Sequence, residues 1–169
     1  GDDYVSSFQL ALPGDPNKTD RVPPTVSSIT PSPGAVLAGP VTVIEAVFSE
    51  DMDAASVKDP TNFTVRVAGG DQSFVEGNEV TVTASRIDYI AEAHSVRFTV
   101  AGRLANDLYQ VRLSGAGWAR DLAGNSLDGD GDGMGGDAFT STFRVSIAPP
   151  SDPNPGSQKD PILGGDPPD

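Results

Sequence analysis

Wherever apolar residues recur regularly in this chain, they recur at every second position. A period of two sends alternate side chains to opposite faces of an extended strand. No stretch sustains the 3.6-residue period of an amphipathic helix. Phe63, Val65 and Val67 share one face, as do Val80, Val82 and Ala84, then Val96, Phe98 and Val100. Tyr109, Val111 and Leu113 follow, and the last such set is Phe139, Phe143, Val145 and Ile147. Thr25 to Thr30 reads as a short first strand, stopped by Pro31-Ser32-Pro33-Gly34. Val41 to Phe48 is nearly continuous in apolar character, as a central strand would be, although Glu45 needs an exit or a partner. Between these runs 19 Gly and 15 Pro supply the punctuation, and together the pattern specifies an all-β fold. Ala54 to Asp59 is expected to add one helical turn.

Seven strands with turn signals between them predict a seven-stranded antiparallel immunoglobulin-like β-sandwich rather than a closed barrel. The strands starting at Val80 and Val96 are expected to be antiparallel neighbours joined through Asp88 to His94. Phe48, Val65, Val82, Phe98, Val111 and Phe143 are the expected core. Tyr109 falls at the start of the penultimate strand, two residues before the inward-facing Val111. That is the position of a tyrosine corner, whose hydroxyl bonds backbone upstream, with a plain core tyrosine as the alternative.

The stretch from Asp128 to Asp137 carries the chain's clearest chemistry. Asp128, Asp130, Asp132 and Asp137 alternate with glycines, and no Lys or Arg interrupts them. Such carboxylates repel one another when packed together, and a bound hard cation removes that cost. Calcium takes six to eight oxygens, and acids at loop positions 1, 3 and 5 with Gly at 6 match the start of an EF-hand loop. Those positions are Asp128, Asp130, Asp132 and Gly133, and the carbonyl of Met134 would supply position 7. Position 12 is Phe139 rather than Glu, so Asp137 must close the site. The expectation is a DxDxDG-type calcium loop that is not an EF-hand; the plain alternative is a solvated acidic turn.

The formal net charge of −13 argues against nucleic acid and anionic membrane surfaces as partners. Without cysteine there is no disulfide, thiol nucleophile or Cys-ligated metal. No run of about 18 apolar residues exists, so no membrane insertion is expected. The N-terminus lacks a basic and apolar leader, as expected of a mature or excised piece, and a secreted or cell-surface location suits the acidic composition.

The chain also contains part of itself twice. Gly1 to Leu12 can be laid on Gly136 to Ile147, with Gly, Asp, Ser and Phe coinciding and Tyr4 meeting Phe139. Pro13-Gly14-Asp15-Pro16-Asn17 then matches Pro150-Ser151-Asp152-Pro153-Asn154 after a short slip. This predicts a slice of a tandem array. Residues 1–22 would be the last strand of a preceding repeat plus a linker. Residues 23–148 would be the sandwich, and 149–169 a Pro/Gly/Asp-rich, disordered linker to a following repeat.

Phe48-Ser49-Glu50-Asp51-Met52-Asp53, Pro60-Thr61-Asn62-Phe63-Thr64-Val65 and Asp121-Leu122-Ala123-Gly124-Asn125 carry a family resemblance. Over roughly Pro23 to Ile147 the chain resembles the bacterial Ig-like domains of surface-layer and other large exported proteins. The resemblance implies a non-catalytic spacer or adhesion module whose partners are neighbouring repeats and a cell-surface protein or glycan. The acidic loop is not required by that family pattern. The alternative is a carbohydrate- or protein-binding accessory module of a secreted multidomain enzyme, with Trp118 as a sugar platform or, more plainly, an edge cover.

Other candidates are weaker. Glu50, Asp51 and Asp53 form a second acidic group that could lend a ligand, since the B–C and F–G loops of such a sandwich share one end. Gly-flanked acids lack the burial that glycoside hydrolysis requires of its general acid. His94 is the sole histidine, so no Ser/His/Asp system is available and no enzyme activity is expected.

Overall fold

The computed structural model describes residues 20–75, 77–114 and 119–148. The Tyr4 to Leu12 segment, the first linker up to Thr19, the second linker and Trp118 lie outside the described residues.

The strands are β1 (Val26–Thr30), β2 (Val36–Leu37), β3 (Val43–Phe48), β4 (Phe63–Val67), β5 (Val80–Thr81), β6 (Ala84–Ile90), β7 (Ser95–Val100), β8 (Asp107–Leu113) and β9 (Phe139–Val145). They form two sheets, ordered β1-β3-β7-β6 and β2-β9-β8-β4-β5. The α-helix α1 (Ala54–Lys58) fills the expected helical turn, and Asp53 caps it by accepting from the Ala55 N–H.

The period-two faces meet in the core. Ile44, Ala46 and Phe48 from β3 and Val96, Phe98 and Val100 from β7 face Phe63, Val65, Val111, Leu113, Phe143 and Val145 of the other sheet. The Phe63 and Phe98 rings, one from each sheet, lie 5.3 Å apart between centroids. Burying a side chain of this size contributes about 1.5–3 kcal/mol, so these pairs hold the sheets together. Of the expected core, only Val82 stays partly exposed, although it packs against the cluster. Glu45 finds its partner across the β3–β7 pair, where Arg97 Nε lies 3.0 Å from Glu45 Oε1.

Tyr109 satisfies both expectations at once. It is 3% exposed, stacks on Phe143, and its hydroxyl donates to the Ala105 carbonyl at 3.0 Å. A buried phenol needs such a partner, because an unpaired hydroxyl is costly to desolvate.

The sandwich differs from the expected seven-stranded antiparallel form in two respects. The seven long strands are joined by two short ones, β2 and β5, and β2 runs parallel to β9. The run from Val80 to Ile90 also serves both sheets. β5 pairs with β4, then β6 pairs with β7, and the chain changes sheets at Val82-Thr83. At that crossing the Val82 N–H still donates to Val65 O, while Thr83 O already accepts from the Ala101 N–H. The expected turn from Asp88 to His94 is therefore shorter, because Asp88 to Ile90 belong to β6.

Candidate metal centre

The β8–β9 connection reaches the end of the sandwich where β1 begins. Leu127 is fully buried and Asp128 is 3% exposed, so the acidic loop departs from a fixed point. The Asp128 N–H donates to Pro24 O at 2.9 Å, the Leu127 N–H to Ala119 O at 2.9 Å, and the Gly136 N–H to Leu127 O at 2.8 Å. Thr25 and Asp128 form a parallel bridge. Beyond Asp128 the chain wraps round its own carboxylates. Asp128 Oδ1 accepts from the N–H groups of Gly131 at 2.7 Å and Asp132 at 3.2 Å, and Oδ2 from Gly133 at 2.9 Å. Asp130 Oδ1 accepts from the Asp132 N–H, Asp132 Oδ1 from the Met134 N–H, and Asp137 Oδ1 from the Gly129 N–H. Gly133 has φ +91°, the left-handed turn expected at that position. Gly135 leaves no room for a side chain, since a Cβ there would meet Ser126 O at 2.3 Å and Pro23 Cβ at 3.3 Å.

This wrapping brings the four acids together. One carboxylate oxygen from each of Asp128, Asp130, Asp132 and Asp137 lies within 4.8 Å of all the others. Asp130 records the crowding. The largest single influence on it, the Asp132 N–H, favours its charged form. Desolvation, the charges of Asp132 and Asp137 and a hydrogen bond with Asp137 outweigh that, so its pKa is raised. The donor set fits a hard cation. A carboxylate offers about four lone-pair sites, so the backbone contacts of Asp128 leave capacity for a metal. Met134 is 71% exposed, and its N–H donates to Asp132 Oδ1 at 2.7 Å.

Glu50 and Asp51 do not join this group. Glu50 clusters with Asp20 and Asp121, again with one oxygen from each within 4.8 Å of the others. Asp51 Oδ1 instead lies 2.9 Å from His94 Nδ1 and accepts from the Tyr89 hydroxyl at 3.3 Å. Asp53 accepts from Arg120 Nε at 3.1 Å. The Asp20–Glu50–Asp121 group was hidden in the sequence because its members are 30 to 101 residues apart.

A family model for the bacterial Ig-like domain matches residues 20–144. The chain belongs to the bacterial Ig-like domain family. No curated protein matches it. Among solved structures, the bacterial Ig-like domain is similar to PcoC, a methionine-rich copper resistance protein from Escherichia coli. The TM-score is 0.48 at 17% identity, covering 73% of this chain and 99% of that one. The N-terminal part of the bacterial S-layer protein SbsC gives 0.46 at 19%, covering 74% of this chain and 24% of that one. CopC from Methylosinus trichosporium OB3b gives 0.44 at 12%, covering 75% and 96%.

Within this bacterial Ig-like domain, the Asp121 to Asn125 motif has a physical role. Asp121, 2% exposed, accepts from the Asn125 N–H at 2.8 Å and from Asn125 Nδ2 at 2.7 Å. So oriented, Asn125 Nδ2 also donates to the carbonyls of Asp20 and Val22, both at 3.3 Å. The motif fastens the incoming chain to the β8–β9 connection. Asn62 of the Pro60 to Val65 motif is buried and donates to Ser56 O at 2.9 Å, tying α1 to β4.

Proposed function

We propose that this bacterial Ig-like domain is a non-catalytic, calcium-binding repeat acting as a spacer or adhesion module of a large exported surface protein. Its partners are neighbouring repeats and, at the cell surface, a protein or glycan. The observation that carries the proposal is the convergence of Asp128, Asp130, Asp132 and Asp137, one oxygen each within 4.8 Å of the rest. These four side chains and the Met134 carbonyl would hold the ion, which would neutralise the cluster and fix the loop leading into β9. Magnesium holds its waters more tightly and demands a stricter octahedron, so it should substitute poorly in a site made of one flexible loop. Modules outside the cell bind calcium with Kd of about 10⁻⁴ to 10⁻³ M, a range that millimolar calcium fills. The repeated strand sequence supports the tandem arrangement.

Isothermal titration of the full chain with calcium and with magnesium tests the site. A calcium isotherm near one ion per chain that Asp130→Ala abolishes is the expected result. No calcium heat at millimolar concentration would reject it.

A further inference from the structure

The register of the strands fixes where the chain enters and leaves. Thr25 bridges Asp128 at the metal-loop end, and β1 carries the chain away from it. After Pro31 the chain changes sheets and runs parallel to β9, with the Gly34 N–H on Thr142 O and Val36 beside Arg144. β9 itself runs from Phe139, beside Leu113, to Val145, beside Asp107. Both segments therefore point the same way. Incoming chain arrives at the metal loop, and outgoing chain departs from the opposite end, where Asn106 accepts from the Ile147 N–H and donates to its carbonyl.

The incoming segment is also seated. Asn125 holds the carbonyls of Asp20 and Val22, Asp128 holds that of Pro24, and Ser49 Oγ accepts from the Thr25 N–H at 3.0 Å. Pro23 and Gly135 lie close enough that a Cβ on Gly135 would come within 3.3 Å of Pro23 Cβ, and their chain neighbours Val22 and Met134 are exposed apolar residues, at 66% and 71%. The structure now identifies the inward residues of β9 as Phe139, Ser141, Phe143 and Val145. Their counterparts in the N-terminal segment are Tyr4, Ser6, Phe8 and Leu10, which match in size and include the inward serine. Only Pro13 to Thr19 separate that segment from Asp20. Seven residues reach at most about 25 Å, which bounds how far from the metal-loop end a domain ending at Leu12 could sit.

Resting on the tandem-repeat reading above, we infer that the metal-loop end of the sandwich is the seat of the preceding copy of this domain. Val22 and Met134 are its apolar contacts, and the seat sets the angle between successive copies. The outgoing end of one copy, around Asn106 and Ile147, faces the metal loop of the next.

Two experiments separate this inference from the reading beneath it. In the first, Gly1 to Leu12 replaces Gly136 to Ile147 in the full chain. Co-operative unfolding of that chimera keeps the repeat reading, whereas an unfolded chimera removes both it and the docking seat. In the second, Ile147 of one copy is joined to Pro13 of a complete second chain. With no native cysteine, Thr140→Cys in each copy carries a spin label, and pulsed electron resonance reads the distance between copies. A free linker of seven residues spreads its ends over roughly 15 Å. The docking seat predicts a much narrower distribution that Val22→Ser with Met134→Ser broadens severalfold. A broad distribution in the parent, or a narrow one that the double variant leaves unchanged, would overturn the seat while leaving the repeat standing.

Discussion

Replacing Asp128 with alanine separates the two things its carboxylate does. In the structure it accepts three backbone N–H groups, from Gly131, Asp132 and Gly133. Bonds to a charged acceptor contribute about 1.5–3 kcal/mol each when buried. In a loop where water replaces them the loss is nearer 1 kcal/mol each, or about 3 kcal/mol in total. A domain the size of residues 20–144 moves by about 4 °C per kcal/mol. Asp128→Ala should therefore melt about 12 °C lower in chelator, with no metal involved. Calcium at a hundredfold excess over Kd adds about 2.7 kcal/mol to a folded state that binds it, or roughly 10 °C. The variant cannot claim that gain, so the gap should widen to roughly 20 °C. Asp130→Ala is the complementary variant. Its carboxylate is crowded by Asp132 and Asp137, so its removal should lower no melting point in chelator yet abolish the calcium-induced rise. The assay is calorimetric melting of the three proteins in chelator and in calcium. If the gap between wild type and Asp128→Ala is the same in both, the loop is an acidic turn and the metal reasoning fails.

Other outcomes follow from single contacts. Tyr109→Phe removes the bond to Ala105 O but keeps the ring on Phe143, and should cost about 1 kcal/mol in urea unfolding; an unchanged midpoint would show that the corner bond contributes nothing. A chain starting at Asp20 should keep the fold and scatter light as a smaller species, because the apolar face of Tyr4, Phe8, Leu10 and Leu12 can no longer pair with a neighbouring molecule. Equal association by both chains would remove that idea. Asp130, with its raised pKa, favours the folded metal-free loop below its ordinary value, and that contribution is lost as pH rises through the raised one. Asp59 is shifted the opposite way, chiefly by the Thr61 hydroxyl, so carboxyl NMR in chelator should titrate Asp130 at higher pH than Asp59.

Much of the sandwich is legible because alternation states directly which side chains face inward. It says nothing of which strand lies alongside. That is why Val80 to Ile90, a single extended run, conceals a change of partner at Val82-Thr83. Asp88, expected to open the connection to His94, instead lies within β6 in register with Arg97, and its carboxylate pairs with Arg86. The acidic loop is legible because all its acids are neighbours in sequence. The Asp20–Glu50–Asp121 group is not, since only the fold brings a linker, the end of β3 and the Asp121 turn to one place. Asp51 was a reasonable candidate for the loop by position, but Tyr89 and His94 from the β6–β7 corner take it instead.

The parallel pairing of β2 with β9 has a mechanical consequence. In the proposed array, tension would pull the incoming chain from the metal-loop end and the outgoing chain from the other. Once that load passes the incoming seat and β1, it reaches β2 and β9, which are adjacent, parallel and would be drawn in opposite directions. The bonds from Gly34 N to Thr142 O, Arg144 N to Ala35 O and Ser146 N to Leu37 O lie across the line of force. They would be loaded in shear, all together, rather than peeled apart one after another.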